Sequence, residues 1–127
     1  MNIPVCPCGS GESYQHCCAP IHQDHTKATS PEQIMRARYT AFTMGLIDFL
    51  YDTYHPETRS EQDKNEIKQW AEENRWLKLD ITRSTSNAVE FKAYYIAADQ
   101  KEDIHYERSI FRQWEGNWYY LDGNLLH

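Results

Sequence analysis

The residues best able to do chemistry are concentrated at the start of this chain. All four cysteines fall between positions 6 and 18, in Cys6-Pro7-Cys8-Gly9-Ser10-Gly11-Glu12-Ser13-Tyr14-Gln15-His16-Cys17-Cys18. Four thiolates around one Zn²⁺ would explain the crowding, because a loop with almost no large apolar side chain must take its folding energy from metal bonds. Gly9 and Gly11 allow the tight reversal that brings Cys6 and Cys8 toward Cys17 and Cys18. Ser10 and Tyr14 are placed to hydrogen-bond sulfur or the turn backbone. Alternatives stay open at this point. Four cysteines permit three disulfide pairings, although a vicinal Cys17–Cys18 bridge would be strained. His16 or His22 could replace one thiolate, and Fe²⁺ or Co²⁺ would fit the same ligands less well than zinc.

A second, dispersed set lies in the rest of the chain. Arg36 and Arg38 flank Tyr39 on a helical segment, His55 precedes Pro56, and Glu107, Arg108 and Ser109 share a strand; Asp122 lies near the end of the last strand. Arg36 or Arg38 could clamp an anion, with His55 or Glu107 as general acid-base. The plainer expectation is that Glu107 pairs with one of these arginines inside the fold and that His55 caps a helix end through its ring. Trp114, Trp118, Tyr119 and Tyr120 either line a ligand site or pack as core. No phosphate-binding glycine loop, nucleophile elbow or HExxH helix occurs.

The elements that must position these residues are legible from punctuation and period. Residues 1–19 form the cysteine module and residues 20–30 read as a polar linker. Ser30, Pro31 and Gln33 start a helix that Gly45 ends. A short second helix is predicted over 46–54 and a third, opened by Ser60, over 61–75. From Trp76 the period shifts to two. Leu77, Leu79 and Ile81 point one way in a first strand, and Val89, Phe91, Ala93, Tyr95 and Ala97 do so in a second. Residues 104–114 form a third strand, with Glu107, Ser109 and Phe111 on one face and Arg108 on the other. Gly116-Asn117 signals a turn into a fourth, 118–122. Three helices followed by an antiparallel meander make an α+β domain over 31–127, its helices on one face of the sheet.

Composition bounds the function. Lys and Arg total 13 against 19 Asp and Glu, a net charge of −6, which disfavours nucleic acid as a partner. No apolar run is long enough for membrane insertion. The first residues lack the basic start and apolar stretch of a signal peptide, so a cytoplasmic location is expected.

The spacing C-P-C-G-S-G-x-x-Y-x-x-C-C resembles the SEC-C motif, found at the tail of the SecA translocation ATPase and in many bacterial proteins. The resemblance implies that Cys6, Cys8, Cys17 and Cys18 ligate zinc. SPEQIMRARYTAF, TYHPETR, ERSIF and NWYYLDG are similar to the YchJ-type family, which joins a SEC-C motif to a nuclear-transport-factor-2-like (NTF2-like), or cystatin-like, domain. That implies a cone of helices on a curved antiparallel sheet with an N-terminal zinc knuckle, and no particular reaction. Departures are local: the family often reads R-S-R-Y at Arg36-Ala37-Arg38-Tyr39 and E-R-S-R-F at Glu107–Phe111. The leading expectation is a protein-interaction adaptor that presents the knuckle, as the related SecA tail docks a chaperone. The alternative is a small-molecule binder or enzyme using the cone, and a third possibility is a knuckle that only caps the domain.

Overall fold

The computed structural model describes residues 5–126. Among the described residues five α-helices and four strands follow the cysteine turn: α1 (Cys18–Gln23), α2 (Pro31–Met44), α3 (Ile47–Asp52), α4 (Pro56–Arg59), α5 (Lys64–Glu73), β1 (Arg75–Ser84), β2 (Ala88–Ile96), β3 (Glu102–Trp114) and β4 (Asn117–Leu125). No helix among the described residues is long and apolar enough to cross a membrane.

Local signals build the central helix, α2. Ser30 Oγ accepts from the Gln33 amide at 3.3 Å, and Pro31 opens the first turn, where a missing N–H does no harm. Gln33 reaches back to the Thr29 amide at 2.8 Å, one residue earlier than in a standard capping box. Gly45 ends the helix in the left-handed region at φ 71°. Ile34, Ala37 and Ala41 are fully buried, and Arg38 and Tyr39 on an adjoining face are nearly so.

Two helix boundaries differ from expectation. α5 begins after Asp63, whose carboxylate accepts from the Asn65 amide at 2.7 Å, and not after Ser60. The segment before it folds into the extra short helix α4. Pro56 starts α4, and His55 Nδ1 accepts from the Glu57 amide at 3.1 Å.

The four strands form an antiparallel meander in the order β1-β2-β3-β4. β2 alternates cleanly, with Val89, Phe91, Ala93 and Tyr95 buried. β1 does not. Register shifts at Trp76/Lys78 and Ile81/Arg83 change its phase, so Leu77 is 44% exposed while Leu79 is buried. The β3–β4 hairpin turns on Glu115 and Gly116, at φ 50° and 84°, a two-residue turn of the type whose twist matches the strands. Asn117 already pairs with Trp114, one residue earlier than the Gly-Asn signal implied.

Residues 20–30 are not the polar linker expected. They carry the end of α1 and a 3₁₀ turn, His25–Lys27, and bury Ile21 and Ala28 in the same core as Ile34, Phe91 and Phe111. Cys6, Cys8 and Cys18 join that core as well. A segment with so few apolar groups cannot fold alone, so it docks the few it has onto α2 and the sheet.

Candidate functional site

The cysteine cluster is built by a compact reversal. The Cys6 amide donates to the Glu12 carbonyl at 2.8 Å, while Gly9 and Gly11 adopt φ of 83° and 87°, values that favour residues without a Cβ. Gly9 also lies tight against β1, since a Cβ there would sit 3.3 Å from the Leu79 carbonyl oxygen. The sulfurs of Cys6, Cys8, Cys17 and Cys18 all fall within 4.8 Å of one another, and no imidazole belongs to the group. Cys8 and Cys17 are 3.5 Å apart and Cys17 and Cys18 3.9 Å. A tetrahedron with Zn–S bonds of about 2.3 Å has edges of about 3.8 Å. The donor set and its spacing therefore fit a tetrahedral thiophilic ion. A disulfide, with sulfurs at about 2.05 Å, is not formed by any of the four cysteines.

Two hydroxyl groups lie beside the sulfurs. Ser10 Oγ lies 3.2 Å from Cys17 Sγ. Thr40 Oγ1 lies 3.4 Å from Cys18 Sγ and 3.7 Å from Cys6 Sγ. A hydrogen bond from Cys18 lowers Cys8 to a pKa of about 4; that same bond, with burial, pushes Cys18 up. Burial raises Cys17 to about 11. Cys8 thus ionises more readily than Cys17 and Cys18. A bound cation would displace their protons.

Neither histidine of the motif region reaches the sulfurs. His16 Nδ1 meets Ser13 Oγ at 2.8 Å. His22 Nε2 donates to the Ala37 carbonyl at 2.7 Å, which leaves Nδ1 to accept from Tyr14 O–H at 2.8 Å. The Tyr14–His22–Ala37 chain fastens the motif to α2, and burial lowers the His22 pKa, keeping the ring neutral. Arg36 adds a second fastening, donating from Nη1 to the Cys8 carbonyl at 2.7 Å while Nε meets Glu32 at 3.1 Å.

A cavity of about 180 Å³ lies between α2 and the inner face of the sheet. Tyr39, Phe42, Tyr54, Trp70, Trp76 and Phe91 are its aromatic walls, and Arg38, His105, Glu107, Ser109 and Tyr120 its polar lining. His105, Glu107 and Ser109 line it because alternate residues of β3 share a face. Glu107 accepts from His105 Nε2 at 2.9 Å, from Tyr120 O–H at 3.0 Å and from Ser109 O–H. Burial alone would raise its pKa, but these donors outweigh burial and hold it below the usual carboxylate value. Burial, with the charge of Glu107, pushes Tyr120 well above an ordinary phenol. Gly123 makes room for this network, since a Cβ there would collide with Tyr120 Oη and the Glu107 carboxylate.

Arg38 is 4% exposed. Its Nη1 donates to the Leu50 carbonyl at 2.8 Å and to Thr53 Oγ1 at 2.6 Å. The guanidinium lies 4.5 Å from the Tyr54 ring centre and 4.6 Å from that of Tyr120.

The dispersed residues singled out in the sequence therefore separate. Arg38, Tyr39 and Glu107 meet in the cavity. Arg36 turns to the cysteine motif. His55 is buried as the cap of α4 with Trp114 and Tyr119 at its ring, and Arg108 faces outward, 3.9 Å from Glu90 across the strands. Asp122 is exposed. The expected Glu107–arginine pair does not form; neutral donors and His105 take its place. His105 and the polar role of Tyr120 escaped sequence reasoning. Two-residue alternation back from Glu107 was the signal that would have found His105.

Fold and cysteine cluster together define a class, a SEC-C motif joined to an NTF2-like domain. The SEC-C family model matches residues 5–20, and the model described as "YchJ, middle NTF2-like domain" matches residues 30–123. The chain belongs to the YchJ family. It is 40% identical over 126 residues to the UPF0225 protein VV1358 of Vibrio vulnificus strain YJ016, covering 94% of this chain and 74% of that protein. It is 36% identical to the UPF0225 protein GSU1048 of Geobacter sulfurreducens, covering 94% and 78%. Among solved structures it is similar to RPA3114, a SEC-C motif containing protein from Rhodopseudomonas palustris, with a TM-score of 0.88 and 35% identity over 100% of both chains. A SEC-C motif containing protein from Psychrobacter arcticus gives a TM-score of 0.75 at 26% identity, covering 98% of this chain and 84% of that one.

Proposed function

We propose that this protein is a zinc-stapled ligand-binding domain. In this reading Cys6, Cys8, Cys17 and Cys18 hold one Zn²⁺ as a structural ion, and the cavity under α2 takes a small molecule. One observation carries it: α2 serves both places. Thr40 touches two of the sulfurs and Arg36 holds the Cys8 carbonyl, while Arg38 and Tyr39 wall the cavity. Four thiolate ligands leave no open coordination position, which is the mark of a structural and not a catalytic zinc. Ser10 and Thr40 would offset part of the surplus negative charge.

An adaptor role would need the motif displayed on a free arm. Burial of three of the four cysteines in the main core favours stapling over display. Native mass spectrometry of protein purified under reducing conditions without added metal tests the ion. One zinc per chain is expected, lost in Cys17→Ser; a metal-free chain would overturn the zinc assignment. Hydrogen exchange with and without chelator tests the staple. Protection should fall in α2 and β1 as well as in the motif. Loss confined to the motif and α1 would restore the adaptor reading.

A further inference from the structure

The charged groups of the cavity point to the class of its ligand. Arg38 is a buried cation whose partners, among the described residues, are a carbonyl, a hydroxyl and two aromatic faces. No carboxylate lies within 4.0 Å of it among the described residues. An ion buried without an opposite charge is costly, and proteins seldom leave one so.

The way Arg38 is held matters further. Its two protein hydrogen bonds both leave from Nη1. Nε and Nη2 have no hydrogen-bond partner among the described residues, and the side chain lines the cavity. These two nitrogens form one edge of the guanidinium, the edge that meets a carboxylate through two parallel hydrogen bonds. Two Nη1 hydrogen bonds and the adjacent rings of Tyr54 and Tyr120, set nearly at right angles to each other, already hold the group, so little freedom remains to be lost on binding.

Glu107 does not satisfy this edge. Its Oε1 is engaged by His105 and its Oε2 by Ser109 and Tyr120. The Tyr120 side chain stands between the two charges, offering its ring face to Arg38 and its hydroxyl to Glu107. The remaining walls are aromatic, and the cavity measures about 180 Å³. That is space for a single ring with a small head group.

We infer that the cavity binds a small, flat organic carboxylate, its carboxylate on the Nε–Nη2 edge of Arg38 and its apolar body among Trp76, Phe91 and Phe42. This rests on the ligand-binding reading above and adds the charge and size of the ligand.

The test is a titration of the full zinc-loaded chain with three single-ring probes of similar size: benzoate, benzamide and benzylamine. Amide shifts in ¹H–¹⁵N spectra locate binding, and tryptophan fluorescence, with Trp70 and Trp76 in the wall, measures it. Benzoate should bind with shifts at Phe91, Ala93 and Ser109. Benzamide should bind about tenfold or more weakly, the loss expected for a charge-assisted bond, and benzylamine weaker still. Arg38→Lys keeps the charge but not the fork and should weaken benzoate alone. Equal binding of benzoate and benzamide would overturn the carboxylate assignment and leave the cavity as a binding site. Preference for benzylamine would overturn it too, making Glu107 the anchor. No binding of any probe would overturn both readings. The comparison of probes on the wild type decides the question even if an Arg38 variant does not fold.

Discussion

Tyr14 illustrates how a motif residue outside the cysteine cluster contributes. Its hydroxyl supports His22, and His22 holds the Ala37 carbonyl of α2. Tyr14→Phe should cost about 1 kcal/mol, measured by urea denaturation of the zinc-bound protein. Protonation of His22 breaks the same chain, because Nδ1 can no longer accept. Its folded pKa lies below the ordinary 6.5, so stability is full above that value. As pH falls below it the unfolded chain takes up the proton first, and stability declines until the folded pKa is reached. The wild type should therefore lose more stability than His22→Gln between pH 7.5 and 5.5, checked by parallel thermal melts. A flat difference between the two would remove His22 from the docking. Arg36 and Arg38 carry a second lesson at this scale. Two residues apart on a helix, they point to widely separated directions, so one holds the cysteine motif and the other the cavity.

Among the elements, the third and fourth strands hold the polar network. Glu107 needs Tyr120 from β4, and their approach needs Gly123, where a side chain would collide with both. Gly123→Ala should destabilise the domain by about 1–3 kcal/mol through overpacking and separate Tyr120 from Glu107. The checks are a denaturation curve and a downward shift of the Tyr120 pKa in ultraviolet titration. Glu107→Gln, in contrast, fills the same volume but gives Ser109 and Tyr120 a partner with half its acceptors replaced by donors. A loss of about 1–3 kcal/mol is expected from the bond left unmade, with the fold retained by circular dichroism. Alternation made β2 readable residue by residue. It failed in β1, because a register shift after Trp76 turns Leu77 outward, and a bulge leaves no mark in a hydrophobic pattern.

At the scale of the molecule, metal and cavity should respond together. Chelation is expected to lower the melting temperature of the whole domain in one transition and to weaken benzoate binding, because α2 loses the contacts that Thr40 and Arg36 make with the motif. A second, separate transition for the motif would show that the two parts are independent. The cysteine cluster, the caps of α2, the α+β order and the inward face of β3 were legible in the chain alone. Each depends on residues a few positions apart, whose preferences act wherever the chain goes. The linker was misread because Ile21 and Ala28 are too few to signal burial without α2 to receive them. The pairing of Thr40 with Cys6 and Cys18, the seating of Arg38 against Tyr54 and Tyr120, and the choice of His105 over an arginine for Glu107 belong to the tertiary structure. They join residues from separate elements across one core, or select among partners that only the packed sheet and helices bring within reach, and no local pattern encodes that choice.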